Sequence, residues 1–187
     1  MLEAIRDKQR IFIAGSEGKE EVFEIVNKVM TFANKPFMAF RSNDPENEIE
    51  VNDAPVVITL CALEHLRDHE HHIVLVTAIN DKEDDFDGAV REYEKMLDRS
   101  PKAGCVIYND EDSASALIGK KEREDVVRLE YKAPKETSQN GEVAFEIDKE
   151  HLIKSKVSQY NPTYLKGAYT LLQRIGIKES QFIQALS

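Results

Sequence analysis

The residues best suited to chemistry lie near the amino terminus, in the segment Gly15-Ser16-Glu17-Gly18-Lys19. The segment follows a short apolar run, Arg10 to Ala14, and precedes a helical pattern that begins at Lys19. Glycines in such a loop let backbone N–H groups turn toward an anion, and the following helix adds a favourable dipole. The spacing therefore predicts a phosphate-binding loop, whose binding residues would be Gly15, Ser16, Gly18 and Lys19.

Acidic residues in and after this loop argue against an intact nucleotide site. A complete loop has Ser or Thr directly after its Lys, because that hydroxyl binds magnesium, and here the position is Glu20. Glu17 and Glu21 add two carboxylates, and each exposed carboxylate repels a triphosphate by ~1 kcal/mol. The alternative is a plain strand-to-helix turn whose glutamates stabilise the helix dipole. We expect a vestigial site without ATP or magnesium as cofactors, and with Lys19 held by a neighbouring glutamate.

Histidines and acidic residues elsewhere have spacings that resemble metal sites. His65 and His69 would share one helix face at i, i+4, beside two further histidines, which is compatible with zinc or nickel. A solvated loop between two strands explains them better, since no third fixed ligand is evident. The acidic run from Asp81 to Asp87 has calcium-loop spacing, but Phe86 occupies the position that needs Gly. The sequence therefore predicts no metal site.

The composition is that of an ordinary globular protein. The chain has 187 residues and a formal net charge of −10, from 25 basic and 35 acidic side chains. A general phosphate-backbone binder needs a basic surface, so nucleic acid is not an expected partner. No apolar run approaches the ~20 residues that cross a bilayer, and no signal peptide is evident. Cys61 and Cys105 are expected as buried free thiols, which predicts a cytoplasmic location away from membranes.

Alternating strands and helices are predicted to position the loop. Apolar residues at three- and four-residue spacing give Lys19 to Ala33 one buried helical face, and Pro36 ends that helix. Three nearly continuous apolar runs are typical of strands buried on both faces. They are Pro55 to Cys61, His72 to Ala78 and Ala103 to Tyr108. Two further helices are expected at Phe86 to Leu97 and Ser113 to Ile118.

The pattern changes toward the carboxyl terminus. Residues 121–157 alternate apolar and polar side chains around Gln139-Asn140-Gly141, a typical hairpin turn, and are predicted to form an antiparallel extension. Residues 158–187 are predicted to form two closing helices separated at Gly176. No repeat or long linker is present, so 1–187 is expected as a single domain. The fold class is α/β, a mostly parallel sheet flanked by helices with a small antiparallel extension.

Taken in order, these segments resemble the central, ATP-binding domain of the Mur ligases, and most closely the branch that attaches a whole tripeptide to UDP-N-acetylmuramate in muropeptide recycling. Ile13 to Lys19 lies where that family has its Gly-Thr-x-Gly-Lys-Thr loop, and Val74 to Ile79 where it has a strand ending in Asn. Ala103 to Asp112 is similar to its Gly-x-(apolar)-x-Asn-x-Asp-Asp segment, and Tyr160 to Ile177 to its closing helix. The resemblance covers residues 8–187 and implies a P-loop-like fold.

This chain differs from the family at the positions where the family has its magnesium-binding and catalytic residues. An acidic segment that holds magnesium is replaced by Cys61-Ala62-Leu63, and the Asn after the next strand by Ala78. The family's His falls near Glu83, and the loop hydroxyl is Glu20. A magnesium-dependent acyl-phosphate mechanism needs these groups together with the loop Lys, and only Lys19 remains. The family's domains for the UDP-sugar and the incoming amine are also missing, so we expect a stand-alone, degenerate central domain.

These departures predict a catalytically degenerate Mur-ligase-like domain that acts as a binding or regulatory module linked to peptidoglycan metabolism. The alternative is an ATP-dependent ligase fragment or nucleotide-binding subunit, with ATP and magnesium, whose site a partner chain completes. A central domain without its neighbours should expose apolar surface. We therefore expect a homodimer or another protein partner on a surface that contains Met30, Phe37, Phe40, Phe182, Ile183 and Leu186.

Overall fold

Six parallel strands form the main sheet of the computed structural model, which describes residues 5–44, 51–66, 70–80, 85–139, 142–148, 151–154 and 159–186. The strands are β1 (Gln9–Ala14), β2 (Phe37–Arg41), β3 (Val56–Leu60), β4 (Ile73–Val76), β5 (Cys105–Asn109) and β6 (Val127–Tyr131). Their order across the sheet is β2-β3-β1-β4-β5-β6. The connections between parallel strands place helices on both faces, so the expected α/β class is confirmed.

Helices cover the two faces of this sheet in separate groups. They are α1 (Lys19–Phe32), α2 (Phe86–Asp98), α3 (Ser113–Gly119), α4 (Pro162–Arg174) and α5 (Glu179–Leu186). Ile11 and Ile13 of β1 pack in one core cluster with α1, α4 and α5. Phe12 and Ala14 point the other way, into a cluster with α2 and α3. Alternate residues of one strand thus serve both cores, which explains why the central strands are apolar throughout.

Two edge strands differ from the sequence predictions. Strand β2 was not predicted, because its buried residues, Met38 and Phe40, are too few to give a clear pattern. Strand β6 was expected within the antiparallel extension 121–157, but it pairs in parallel with β5. An edge strand keeps one side exposed, as Val127 does here, so its polar–apolar alternation mimics that of an antiparallel strand.

The antiparallel extension is a separate three-stranded sheet. It consists of β7 (Lys135–Gln139), β8 (Glu142–Asp148) and β9 (His151–Lys154), in that order. Gln139 pairs with Glu142, which confirms the predicted hairpin, although its turn residues 140–141 lie outside the described residues. The closing helices α4 and α5 are also confirmed, and Gly176 separates them at a φ of 84°.

The apolar surface expected to meet a partner is mostly core. Met30, Phe40, Phe182 and Leu186 are 2%, 6%, 0% and 2% exposed, and Phe37 and Ile183 are partly buried against the same core. That prediction was wrong because the fold itself covers these residues. Helix α5 packs on α1 and α4, and Phe40 packs in a separate cluster with Ile5, Met38, Ala54 and Val57. Cys61 and Cys105 are buried free thiols, as expected. Within the described part of the chain, no helix has both the length and the apolar character to cross a membrane.

Candidate phosphate-binding loop

The predicted loop connects β1 to α1 at the carboxyl edge of the main sheet. Two of its positions require glycine. Gly15 has a φ of 139° and Gly18 a φ of 81°, a region that disfavours any residue with a β-carbon. A β-carbon on Gly15 would also overlap Thr77 Oγ1. The loop therefore has the tight glycine-rich turn that the sequence predicted.

Two backbone N–H groups of this loop, those of Ser16 and Glu17, bind to the chain itself. Ser16 N donates to the Ala78 carbonyl at 2.7 Å, and Glu17 N donates to the same oxygen at 3.4 Å. Thr77 Oγ1 donates to the Glu17 carbonyl at 2.6 Å. Strand β4 and the residues after it thus hold the loop as a small antiparallel bridge. Amides that are bonded in this way do not point at an anion, whereas the buried Oγ of Ser16 makes no hydrogen bond within the described residues.

Lys19 reaches across the sheet rather than to a glutamate. Its Nζ donates to the carbonyl oxygen of Cys61, just beyond β3, at 3.2 Å. The expectation that Glu17, Glu20 or Glu21 would hold Lys19 is therefore wrong. Residues at i−2, i+1 and i+2 do not share a helix face with residue i, so these carboxylates project elsewhere. Burial raises the pKa of the Cys61 thiol, which makes it a poor nucleophile.

The amino end of α4 covers the loop. The ring of Tyr164 occupies the space that a β-carbon on Gly18 would need. Asn161 caps α4, accepting from Thr163 N at 2.9 Å, and its own N–H donates to Glu21 Oε1. Burial raises the pKa of Tyr164, and the nearby carboxylate of Glu17 raises it further. Tyr164 was not singled out from the sequence, because nothing local marks a contact with a loop 146 residues away.

The segment that resembles the family's Asn-x-Asp-Asp motif has structural partners. Asp112 caps α3, accepting from Ser115 N at 2.7 Å, and also accepts from Ile79 N at 3.2 Å. Glu111 accepts from Ala133 N at 2.9 Å. These carboxylates connect the loops after β4, β5 and β6 at the same sheet edge as the glycine-rich loop. The carboxylates of Glu111 and Asp112 accept hydrogen bonds from backbone N–H groups, so these two residues cap a helix and a loop.

A magnesium–triphosphate group fits the residues around the loop poorly. The residue after Lys19 is Glu20, which has no hydroxyl to bind magnesium, and Cys61 and Ala78 contribute backbone carbonyls. Glu17 and Glu20 are exposed carboxylates of this segment. Among the described residues, no group of three or more His, Cys, Asp or Glu side chains could hold a metal ion.

The two histidines beside the candidate pair bond to the chain itself, and the expected solvated loop is wrong at His71. His71 is buried, and its Nε2 lies 2.8 Å from Ser100 Oγ. Burial, together with the nearby guanidinium of Arg99, lowers its pKa to about 3. His72 Nδ1 accepts from Arg10 N at 3.0 Å. His69, and positions 81–84 of the acidic run, lie outside the described residues.

Comparison with known proteins gives structural matches only. No protein-family model and no curated protein sequence matches this chain. A UDP-N-acetylmuramoylalanyl-D-glutamyl-2,6-diaminopimelate–D-alanyl-D-alanyl ligase from Acinetobacter baumannii superposes with a TM-score of 0.76 at 14% identity, over 99% of this chain and 48% of the ligase. A murein peptide ligase from Psychrobacter arcticus gives 0.71 at 13% identity, over 98% of this chain and 47% of that one.

A third match extends the comparison beyond peptidoglycan enzymes. The complex of FPGS with AMPPCP superposes with a TM-score of 0.69 at 10% identity, over 100% of this chain and 66% of FPGS. The chain spans about half the length of the Mur ligases that it matches. The likeness extends over the main sheet, its helices and the carboxyl-terminal elements together, in the order that the resemblance implied. This chain has a Mur ligase-like fold.

Proposed function

We propose that this Mur ligase-like domain is a binding or regulatory module that neither hydrolyses ATP nor forms a peptide bond. The observation that carries the proposal is the set of hydrogen bonds that the glycine-rich loop makes within the chain. Its N–H groups at Ser16 and Glu17 donate to Ala78, and Lys19 donates to Cys61. A triphosphate would have to break these bonds before it could gain its own, so the loop favours the state without ligand.

Electrostatics and sterics support the same proposal. Glu17 and Glu20 place two exposed carboxylates within about one helical turn of the helix start, and Glu21 adds a half-buried one that accepts from Asn161 N. Each exposed carboxylate opposes phosphate by ~1 kcal/mol. The Tyr164 ring fills the space beside Gly18. A catalytic role would require this ring, the loop amides and Lys19 to move together.

The structural neighbours suggest where such a module acts. Two of them are ligases of peptidoglycan precursors by their descriptions, and we place this domain in the same area of metabolism, in the cytoplasm. The two buried, unpaired cysteines fit a reducing compartment. The module would act through a protein partner or a second copy. Since the expected apolar surface is core, that interface has to use other residues, and a strictly monomeric mass by light scattering would exclude the second copy.

Calorimetry with magnesium and ATP tests the proposed loss of nucleotide binding. We expect no saturable binding to the wild-type chain up to about 1 mM ATP. Lys19→Ala should leave that result unchanged, and Lys132→Ala is the matched control because Lys132 is an exposed lysine after β6. Micromolar binding that Lys19→Ala abolishes and Lys132→Ala preserves would overturn the proposal. It would instead support a nucleotide-binding subunit completed by a partner chain.

A further inference from the structure

An open cleft lies at the amino edge of the main sheet, opposite the glycine-rich loop. Its volume is about 540 Å³, within the range of small-molecule sites. It lies where β1, β4 and β5 begin and where α4 ends. The residues that line it are Arg6, Asp7, Lys8, Gln9, His72, Ile73, Lys102, Ala103 and Arg174.

The charge of this cleft is opposite to that of the whole chain. Four of its lining side chains are cationic, and Asp7 carries the single carboxylate among them. The chain as a whole has a formal net charge of −10. Like charges in one cleft repel each other, and a concave wall focuses their field outward. A bound polyanion would relieve that repulsion.

Several polar groups of the cleft are fixed by the fold. Lys8 is buried, and its Nζ donates to the carbonyls of Asn52 and Ala54 at 2.8 and 2.9 Å. His72 Nδ1 accepts from Arg10 N, which assigns the ring proton to Nε2 and makes that nitrogen a donor. The Lys8 ammonium is thus bonded within the fold and contributes its charge to the cleft, and His72 contributes a neutral donor.

Other cations of the cleft have spare donors. Within the described residues, no hydrogen bond or ion pair is seen for the side chain of Arg6. The hydrogen bond from Arg123 lowers the pKa of Asp125, and Lys102 lies near enough to that carboxyl for its charge to lower the pKa further without a hydrogen bond to it. Ala103 has a φ of 62°, an uncommon conformation for a residue with a β-carbon. Its N–H donates to the Asp125 carbonyl at 2.7 Å, which holds the turn that carries Lys102. The turn at Ala103 is thus held in a strained conformation, and Lys102 in the same turn lines the cleft.

We propose that this cleft binds a small molecule that carries a diphosphate group. The guanidinium of Arg6 can bind phosphate oxygens in pairs, and two ammonium groups add point charges. The guanidinium of Arg174 also hydrogen-bonds the Cys105 thiol, and its remaining donors and its charge add to the site. The cleft has four cations and one carboxylate, so its net charge is +3. That charge suits a diphosphate better than a single phosphate or a dicarboxylate. The site is independent of the glycine-rich loop, which lies at the other edge of the sheet.

Titration calorimetry in about 0.15 M salt, where surface charges are screened, tests this site with inorganic pyrophosphate as the probe. Saturable binding is expected, and orthophosphate and succinate should bind more weakly. Lys102→Glu and Arg6→Glu should each weaken pyrophosphate binding about tenfold or more, because each replaces an attraction by a repulsion. Lys132→Glu is the matched control, and Lys19→Ala tests the loop; both should bind as the wild type does. Circular dichroism verifies that each variant is folded.

Four outcomes would overturn the proposal. They are an absence of saturable pyrophosphate binding, equal weakening by Lys132→Glu, loss of binding in Lys19→Ala alone, and binding of succinate as tight as that of pyrophosphate. Amide chemical shifts in the wild-type chain give a second test that does not depend on any variant. Pyrophosphate should shift the signals of residues 6–9, His72 and 102–104 while it leaves those of residues 15–20 in place. The reverse pattern would assign the anion to the loop.

Discussion

The ring of Tyr164 fills the volume that a β-carbon on Gly18 would occupy. Gly18 also has a φ of 81°, so position 18 needs glycine for its backbone as well as for its contact. Tyr164 lies in the first turn of α4, and Asn161 at the cap of that helix donates to Glu21 in α1. The closing helix and the loop are therefore held together at two points.

Gly18→Ala should destabilise the domain by about 2 kcal/mol or more, because left-handed strain adds to the overlap with Tyr164. In the background of Tyr164→Ala the overlap disappears and only the strain remains. A double-mutant cycle, measured by urea unfolding, should therefore show a coupling of about 1 kcal/mol. Simple additivity of the two substitutions would contradict the contact.

Lys19→Ala should lower the free energy of unfolding by about 0.5–1.5 kcal/mol, since it removes a partly buried hydrogen bond to the Cys61 carbonyl. Lys132→Ala, the exposed control, should change it by no more than about 0.5 kcal/mol. Chemical denaturation of both variants measures the difference. If the two variants were equally stable, the bond between Lys19 and Cys61 would contribute nothing.

Glu20→Thr should strengthen binding of orthophosphate at the loop. The change removes one exposed carboxylate at the start of α1, which corresponds to ~1 kcal/mol or about fivefold in affinity. Glu24→Thr makes the same change of charge one turn farther along the helix and should have a smaller effect. Calorimetric titration measures both. An unchanged affinity in Glu20→Thr would remove the grounds for calling this loop a former phosphate site.

Acid should destabilise the domain through His71. Its pKa is about 3 in the folded chain, against about 6.5 in an unfolded chain, so the unfolded state binds an extra proton between these pH values. Neutral His71 therefore makes its whole contribution to stability above about pH 6.5. The free energy of unfolding falls by up to ~1.4 kcal/mol per pH unit as the pH drops toward 3.

His71→Gln should reduce that pH dependence. Ser100→Ala is the control, because it removes the hydrogen bond to Nε2 but leaves the titrating ring in place. It should lower stability at neutral pH and keep the slope. Urea unfolding between pH 4 and 8 measures the two profiles. A slope that His71→Gln leaves unchanged would show that another group carries the titration.

Much of the fold follows from local pattern. The continuous apolar runs predicted β3, β4 and β5, because strands buried on both faces need apolar residues throughout. The spacing of Val22, Ile25, Val26 and Val29 predicted α1, and all four are buried. Strand β6 was assigned to the wrong sheet, since an edge strand and an antiparallel strand alternate alike. Strand pairing depends on contacts between distant segments, which local pattern does not encode.

The loop itself was predictable, and its partners were not. The spacing of glycine and lysine predicted a tight turn at residues 15–19. Glu20 stands where a complete phosphate-binding loop has Ser or Thr. The groups that close the loop are the carbonyls of Cys61 and Ala78, and a backbone acceptor has no signature in the side-chain sequence. Tyr164 is a side chain, but its contact with Gly18 depends on how α4 packs.

The hydrogen bonds within the glycine-rich loop also bear on the lifetime and abundance of the folded protein in a cell. A protein that binds its ligand only when folded gains stability by mass action, as RT ln(1 + [L]/Kd). An enzyme with an open nucleotide loop is therefore protected from unfolding and proteolysis while nucleotide is plentiful. If the domain binds no nucleotide, as proposed, the Ala78 and Cys61 carbonyls hold these loop donors in place of a ligand. The lifetime of the folded domain should then be insensitive to the cellular energy charge.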